Sequence, residues 1–201
     1  MTYFKYSNKE LAYLKSKDKE LKAYIDKVGM IKREIIPDLF QALINTIIGQ
    51  QISTKAHHLV WQRFKDKFIN ITPEVINMAS IEDIQSCGMT FKKANYIKDI
   101  TAKIINKEFD LNSLSSSSDE DVIKELTKLK GIGQWSAEML MIFSMNRMNV
   151  LAYDDLAIIR GMKLLYHHQE IKKELFNEYY QRYTPFASVA SLYLWHLAGQ
   201  K

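Results

Sequence analysis

A single cysteine, Cys87, among 201 residues excludes an internal disulfide, a cysteine zinc site and a four-cysteine iron–sulfur cluster. It reads instead as a small, partly buried apolar residue. No run of about eighteen uncharged apolar residues occurs, so no membrane-spanning helix is expected. The stretch Met1-Thr2-Tyr3-Phe4-Lys5-Tyr6 lacks the apolar core of an export signal. An intracellular home is the expectation, which in a bacterium means cytoplasm or nucleoid. Prolines number three and glycines seven, too few to punctuate a chain of many short strands, and helical periodicity recurs in nearly every long segment. No convincing sheet is visible.

With 47% hydrophobic residues the chain can bury a substantial core, as one domain or as two small lobes. Helices are expected at about 8–28, 39–50, 53–68, 73–79, 81–87, 91–105, 155–166, 171–181 and 185–197. The polar stretch from Leu111 to Glu120 holds Ser117 and Glu120 in a capping-box pattern, a loop that starts another helix. Helix-only patterning with short connections favours two packed helical lobes with a ligand cleft between them. The lobes are expected at about 35–135, and at the N-terminal segment plus about 136–201.

Charge is moderately basic, with 28 Lys plus Arg against 23 Asp plus Glu and a net charge of +5. Such an excess most often reflects a solvated surface, but it permits nucleic acid. Lys92, Lys93, Lys98, Lys103, Lys124, Lys128 and Lys130 concentrate in sequence, where phosphate contacts would make binding salt-sensitive.

They surround Leu129-Lys130-Gly131-Ile132-Gly133-Gln134-Trp135-Ser136-Ala137. Val122, Ile123, Leu126 and Leu129 form one apolar stripe before this turn, and Trp135, Met139, Leu140 and Phe143 form another after it. Without Cβ atoms both glycines can take positive φ, close the turn, and let a phosphate oxygen reach main-chain N–H groups at the next helix start. The helix dipole favours that anion. The plain alternative is that the glycines only end one helix and begin another.

Asp154 and Asp155 precede the helical run that begins at Leu156, so one of them caps it. Capping is compatible with catalysis, because a carboxylate at a helix N-terminus is a fixed negative charge. Departure of a base from deoxyribose builds oxocarbenium-like charge, which such an anion stabilises, or it orients the attacking water. Trp135 and Trp195 suit either a core or the π-walls of a pocket for an extruded base, and a cationic alkylated purine gains most from an indole. Trp61 is left in the core. Gln50 and Gln51 end an apolar run, either as caps or as amides that fill the gap left by a flipped nucleotide. His57-His58 and His167-His168 have poor metal-ligand spacing.

With hairpin, aspartate pair and tryptophans together, the chain resembles the helix-hairpin-helix DNA glycosylase superfamily, in its 3-methyladenine DNA glycosylase II (AlkA-like) branch. The matching segments are Ile47 to Ser53, Leu129 to Ala137, Tyr153 to Ile158 and Tyr193 to Trp195. The resemblance implies an all-α, two-lobed helical bundle with an interlobe active-site cleft and an enzyme that excises alkylated bases. It implies Asp155 as the catalytic aspartate. Trp195 matches a pocket aromatic, and Trp135, Met139 and Leu156 join it; at the last two positions some members place tyrosines. Gln51 matches the wedge, and Lys130, Gly131, Ile132, Gly133, Gln134 and Ser136 complete the DNA contacts.

Strand-nicking relatives carry a lysine where this chain has Trp135, and tryptophan cannot form a Schiff base. A monofunctional enzyme is therefore implied. No cofactor is implied beyond a monovalent cation, Na+ or K+, held at the hairpin by main-chain carbonyls of Lys130, Gly131 and Gly133. The longer AlkA-like enzymes have an additional N-terminal mixed α/β domain, and none is expected here. The partner is double-stranded DNA containing alkylated bases, the protein a monomer. Two other readings stand beside this one: a glycosylase of the same fold for another damaged base, and a non-catalytic DNA-binding module.

Overall fold

The computed structural model describes residues 1–200. In chain order the elements are β1 (Thr2–Tyr3), α1 (Asn8–Lys17), α2 (Lys19–Val28), β2 (Glu34–Ile35), α3 (Leu39–Gly49), α4 (Thr54–Lys67), α5 (Pro73–Met78), α6 (Ile81–Gln85), α7 (Phe91–Ile105), α8 (Asp119–Leu126), α9 (Gln134–Phe143), α10 (Leu156–Tyr166), α11 (Lys173–Tyr183) and α12 (Ala187–Gly199). A 3-10 turn at Ser113–Ser116 precedes α8. The fold is all-α apart from the antiparallel pairing of β1 and β2, which sets Thr2 opposite Ile35 and Tyr3 opposite Glu34. Strands of two residues are too short to show alternation, which is why no sheet was expected.

Two compact units divide the chain. One is Met1–Ile35 with Met141–Lys201, and the other is Ile36–Leu140. In the first, the single helix expected over 8–28 is broken at Asp18. Its Oδ1 accepts the Leu21 N–H at 2.8 Å and caps α2, while its own N–H closes α1 on the Leu14 carbonyl. The buried carboxylate is answered by Arg182 Nη1 at 2.8 Å and the Tyr166 hydroxyl at 2.9 Å, so the break ties α1 and α2 to α10 and α11.

Within this unit α12 is buried along Ala187–Leu194 on every face, as a helix apolar all round should be. It packs on α10, where Gly161 allows very close approach. A Cβ there would stand 2.3 Å from the Leu194 carbonyl oxygen.

The second unit collects Leu43, Ile44, Ile47 and Ile48 of α3, Phe64 of α4, Ile76 of α5, Ile84 of α6, and Ala94, Ile97 and Ile100 of α7 into one core. Lysines finish several helices here, as cations do at the negative end of the dipole. Lys98 Nζ reaches the Asn77 and Ala79 carbonyls at the C-terminal end of α5 at 2.6 and 2.9 Å. Lys67 Nζ reaches the Asp83 carbonyl of α6 at 3.0 Å and also pairs with the Asp83 carboxylate at 2.7 Å. The cap of α8 is Ser118, accepting from Asp121 N–H, and not Ser117 one residue earlier; both serines offer a hydroxyl, and the preceding 3-10 turn sets the register. Cys87 is buried, and burial pushes its thiol pKa up.

Candidate active site and hairpin turn

Asp155 is the N-cap of α10, with extended backbone (φ −85°, ψ 105°). Its Oδ1 accepts two main-chain N–H groups, from Ala157 at 2.8 Å and Ile158 at 3.0 Å. Its Oδ2 accepts the Trp195 indole Nε1–H at 3.2 Å. With 7% of its surface exposed, this carboxylate is pinned by three donors and the positive end of a helix. Asp154 is exposed, so of the adjacent pair only Asp155 turns inward.

Two features hold this geometry. Close contact at Gly161 sets α12 against α10, bringing Trp195 to Asp155 across forty positions of sequence. The segment before Asp155 is fixed to α12 by Ser188, whose hydroxyl accepts the Val150 N–H at 2.9 Å and donates to the Arg147 carbonyl at 2.7 Å. The indole of Trp195 also meets the Phe143 ring at 5.4 Å, and Arg33 lies 5.3 Å from the same phenyl ring. Neither Phe143 nor Arg33 stood out in the sequence as a partner of the site, because helical periodicity marks a side chain as apolar without saying what it meets.

Of the expected pocket residues, Trp195 is half-buried, Met139 is buried on α9, and Trp135, one turn before Met139, is 42% exposed. Leu156 follows Asp155 directly and is 85% exposed, unusual for a leucine.

In the second unit the hairpin joins α8 to α9. Gly131 has φ +87°, and a Cβ on it would stand 2.4 Å from the Tyr96 ring. Both reasons require glycine there. Gly133 does not have positive φ, and a Cβ on it would meet nothing within 4 Å. The expectation that both glycines use left-handed backbone is corrected for Gly133, which instead leaves open space beside the start of α9. Ile132 is buried beneath the turn, Gln134 bonds Glu138 at 3.1 Å, and Ser136 is buried.

The lysines around the turn are largely committed within the unit. Lys130 Nζ pairs with Asp99 at 2.7 Å, Lys103 with the same carboxylate at 3.6 Å, and Lys128 with Glu125 at 2.6 Å. Lys93 Nζ donates to the Ile48 and Gln50 carbonyls at 2.8 and 2.6 Å. Burial lowers its pKa. The two glutamines diverge: Gln50 Nε2 donates to the Gly131 carbonyl at 2.7 Å, whereas Gln51 is exposed with φ +55°.

Among the described residues no cluster of His, Cys, Asp or Glu could hold a metal ion. Of the carbonyls expected to hold a monovalent cation, that of Gly131 accepts Gln50 and that of Gly133 accepts the Ala137 N–H at 3.0 Å. Each keeps a second lone pair, so the turn fits a weakly held ion. His57 and His58 stack with ring centroids 6.0 Å apart, and His57 Nε2 contacts the Asn45 carbonyl at 3.1 Å. That is a packing role.

A buried capping aspartate in one unit and a glycine hairpin in the other define a helix-hairpin-helix protein. The chain belongs to the HhH-GPD superfamily of base excision DNA repair proteins, whose family model matches residues 44–185. Among similar proteins, DNA-3-methyladenine glycosylase 1 of Schizosaccharomyces pombe is 33% identical over 161 residues, covering 78% of this chain and 71% of that one. A crystal structure of DNA-3-methyladenine glycosidase from Bacillus halodurans superposes with a TM-score of 0.86 at 32% identity, covering 100% of this chain and 94% of the other. The S. pombe 3-methyladenine DNA glycosylase in complex with abasic DNA has a TM-score of 0.80 at 30% identity, with 93% and 95% covered.

Proposed function

We propose that this protein is a monofunctional DNA-3-methyladenine glycosylase, cutting the N-glycosidic bond of alkylated purines extruded from duplex DNA. The observation that carries the reading is the Asp155 carboxylate, buried, capped by two N–H groups and held by an indole. The named relatives support the choice of alkylated purine as substrate class.

An N3- or N7-alkylated purine carries positive charge, so its bond to C1′ breaks with the electron pair passing to the ring, and the base leaves neutral. The sugar is left oxocarbenium-like. Asp155 Oδ2 is the oxygen assigned to that charge, since Oδ1 already serves two main-chain donors. Water then bonds to C1′ and releases a proton, giving free base and an abasic site. Trp135 stands where a Schiff-base lysine would be needed, which supports a reading without strand nicking. Trp135, Trp195, Met139 and Leu156 are assigned to gripping the flipped base, where π-surface favours a cationic ring. Gln51 is assigned to the vacated stack. Main-chain groups from Lys130 to Gln134, with Ser136, are assigned to phosphate, and a cation on the Lys130, Gly131 and Gly133 carbonyls would add positive charge there.

Incubation with methylated, oxidised and undamaged duplexes, scored for alkali-labile sites, tests the reading. Sites on the methylated duplex alone are expected. Asp155→Asn should lower their formation by about a hundredfold or more while affinity for DNA holding an abasic analogue persists. Sites confined to oxidised DNA favour the other-lesion enzyme, and binding without sites on any duplex favours the non-catalytic module.

A further inference from the structure

Three contacts meet behind Gln51, all within residues 36–140. Gln50 Nε2 is bonded to the Gly131 carbonyl of the hairpin, and the Gln50 carbonyl is bonded to Lys93 Nζ, which also holds the Ile48 carbonyl at the end of α3. Tyr96, nearly one turn past Lys93 on α7, lies against Gly131. One helix thus braces both the hairpin and the turn after α3. Gln51 leaves that turn exposed, in the left-handed region at φ +55°, which a glutamine rarely adopts unless its surroundings impose it.

We propose that Gln50 and Lys93 are positioning residues that couple the phosphate-gripping hairpin to the wedge, holding Gln51 at a fixed reach from the bound backbone. The proposal rests on the reading of Gln51 and the hairpin given above. A side chain that enters a base stack is pushed back by the stack, and a turn without cross-bracing would yield by relaxing φ at Gln51. The Gln50 amide passes that load to the hairpin main chain, and the Lys93 ammonium passes it to α7. Gln50 itself is not the intruding amide, because its Nε2 is already committed to Gly131.

The test uses a duplex with a tetrahydrofuran abasic analogue next to 2-aminopurine, whose fluorescence rises when its stack opens. For Gln50→Leu and Lys93→Met, affinity and its salt dependence should stay near the parent values while the fluorescence rise is lost. Release of 3-methyladenine from paired DNA should slow by about tenfold or more, and a lesion in an unpaired bulge, already unstacked, should recover the parent rate. The proposal is overturned if stack opening is unchanged in both variants. It is equally overturned if the bulged lesion is not rescued, or if both variants lose affinity, stack opening and melting temperature together, which reduces the contacts to structural ones. A parent protein that opens the stack yet releases no alkylated base would remove the glycosylase reading and leave the coupling intact.

Discussion

Asp155 closes a helix with Oδ1 and accepts the Trp195 indole N–H with Oδ2, the oxygen assigned above to the chemistry. Trp195→Phe keeps the aromatic surface but deletes the N–H, so it separates stacking from carboxylate orientation. Single-turnover excision should fall by about tenfold while duplex affinity is retained, in keeping with the cost of misplacing a catalytic group; an unchanged rate would leave Trp195 as a pocket wall only. Borohydride added during turnover should trap no covalent protein–DNA adduct, since position 135 offers no amine. That one of the two aspartates caps α10 was legible because a carboxylate before a helical run commonly does so, whereas the choice of Asp155 over Asp154 came from the family resemblance and not from periodicity. Its bond to Trp195 was not, because forty residues separate the two and only the packing of α10 on α12 brings them together.

The two hairpin glycines, alike in sequence, differ in consequence. Gly131→Ala meets both a left-handed φ and the Tyr96 ring, and should cost about 1–3 kcal/mol of stability by chemical denaturation. Gly133→Ala meets open space; it should melt like the parent yet bind duplex more weakly, because the added methyl stands where a phosphate would approach. Equal melting of the two variants would contradict the assignment. At Gly161 the obstacle is the α12 backbone, so Gly161→Ala should cost about 1–3 kcal/mol through overpacking and slow excision by shifting Trp195. Helix positions were largely readable from periodicity. The break at Asp18 was missed because both halves keep one apolar phase, and what stops the helix is a buried carboxylate whose partners, Tyr166 and Arg182, lie far along the chain.

Over the whole molecule, a net charge of +5 overstates the cations available to DNA. Lys98 spends its ammonium on helix carbonyls, so Lys98→Met should lower the melting temperature and leave the slope of log affinity against log salt unchanged, as read on undamaged duplex. Clustering in sequence had suggested a phosphate-facing role for that lysine, and only coordinates reveal which lysines are already engaged. Acidity should weaken the fold through His57. Burial holds its pKa below the ordinary 6.5, a hydrogen bond to Asn45 partly opposing. Unfolded chain takes the proton first as pH falls through about 6.5, so this contribution to stability is complete above that value and lost below it. Denaturation midpoints should therefore drop less steeply in His57→Gln than in the parent.

The division into one contiguous and one discontinuous unit also orders events during synthesis. Residues 36–140 leave the ribosome as one uninterrupted segment, while the unit holding Asp155 needs residues 1–35 to wait for partners made after that segment, among them Arg182 for Asp18 and Tyr193 for Gly29. The half assigned to gripping DNA can thus mature before the half assigned to cutting it, and a chain truncated after residue 140 would lack the carboxylate altogether.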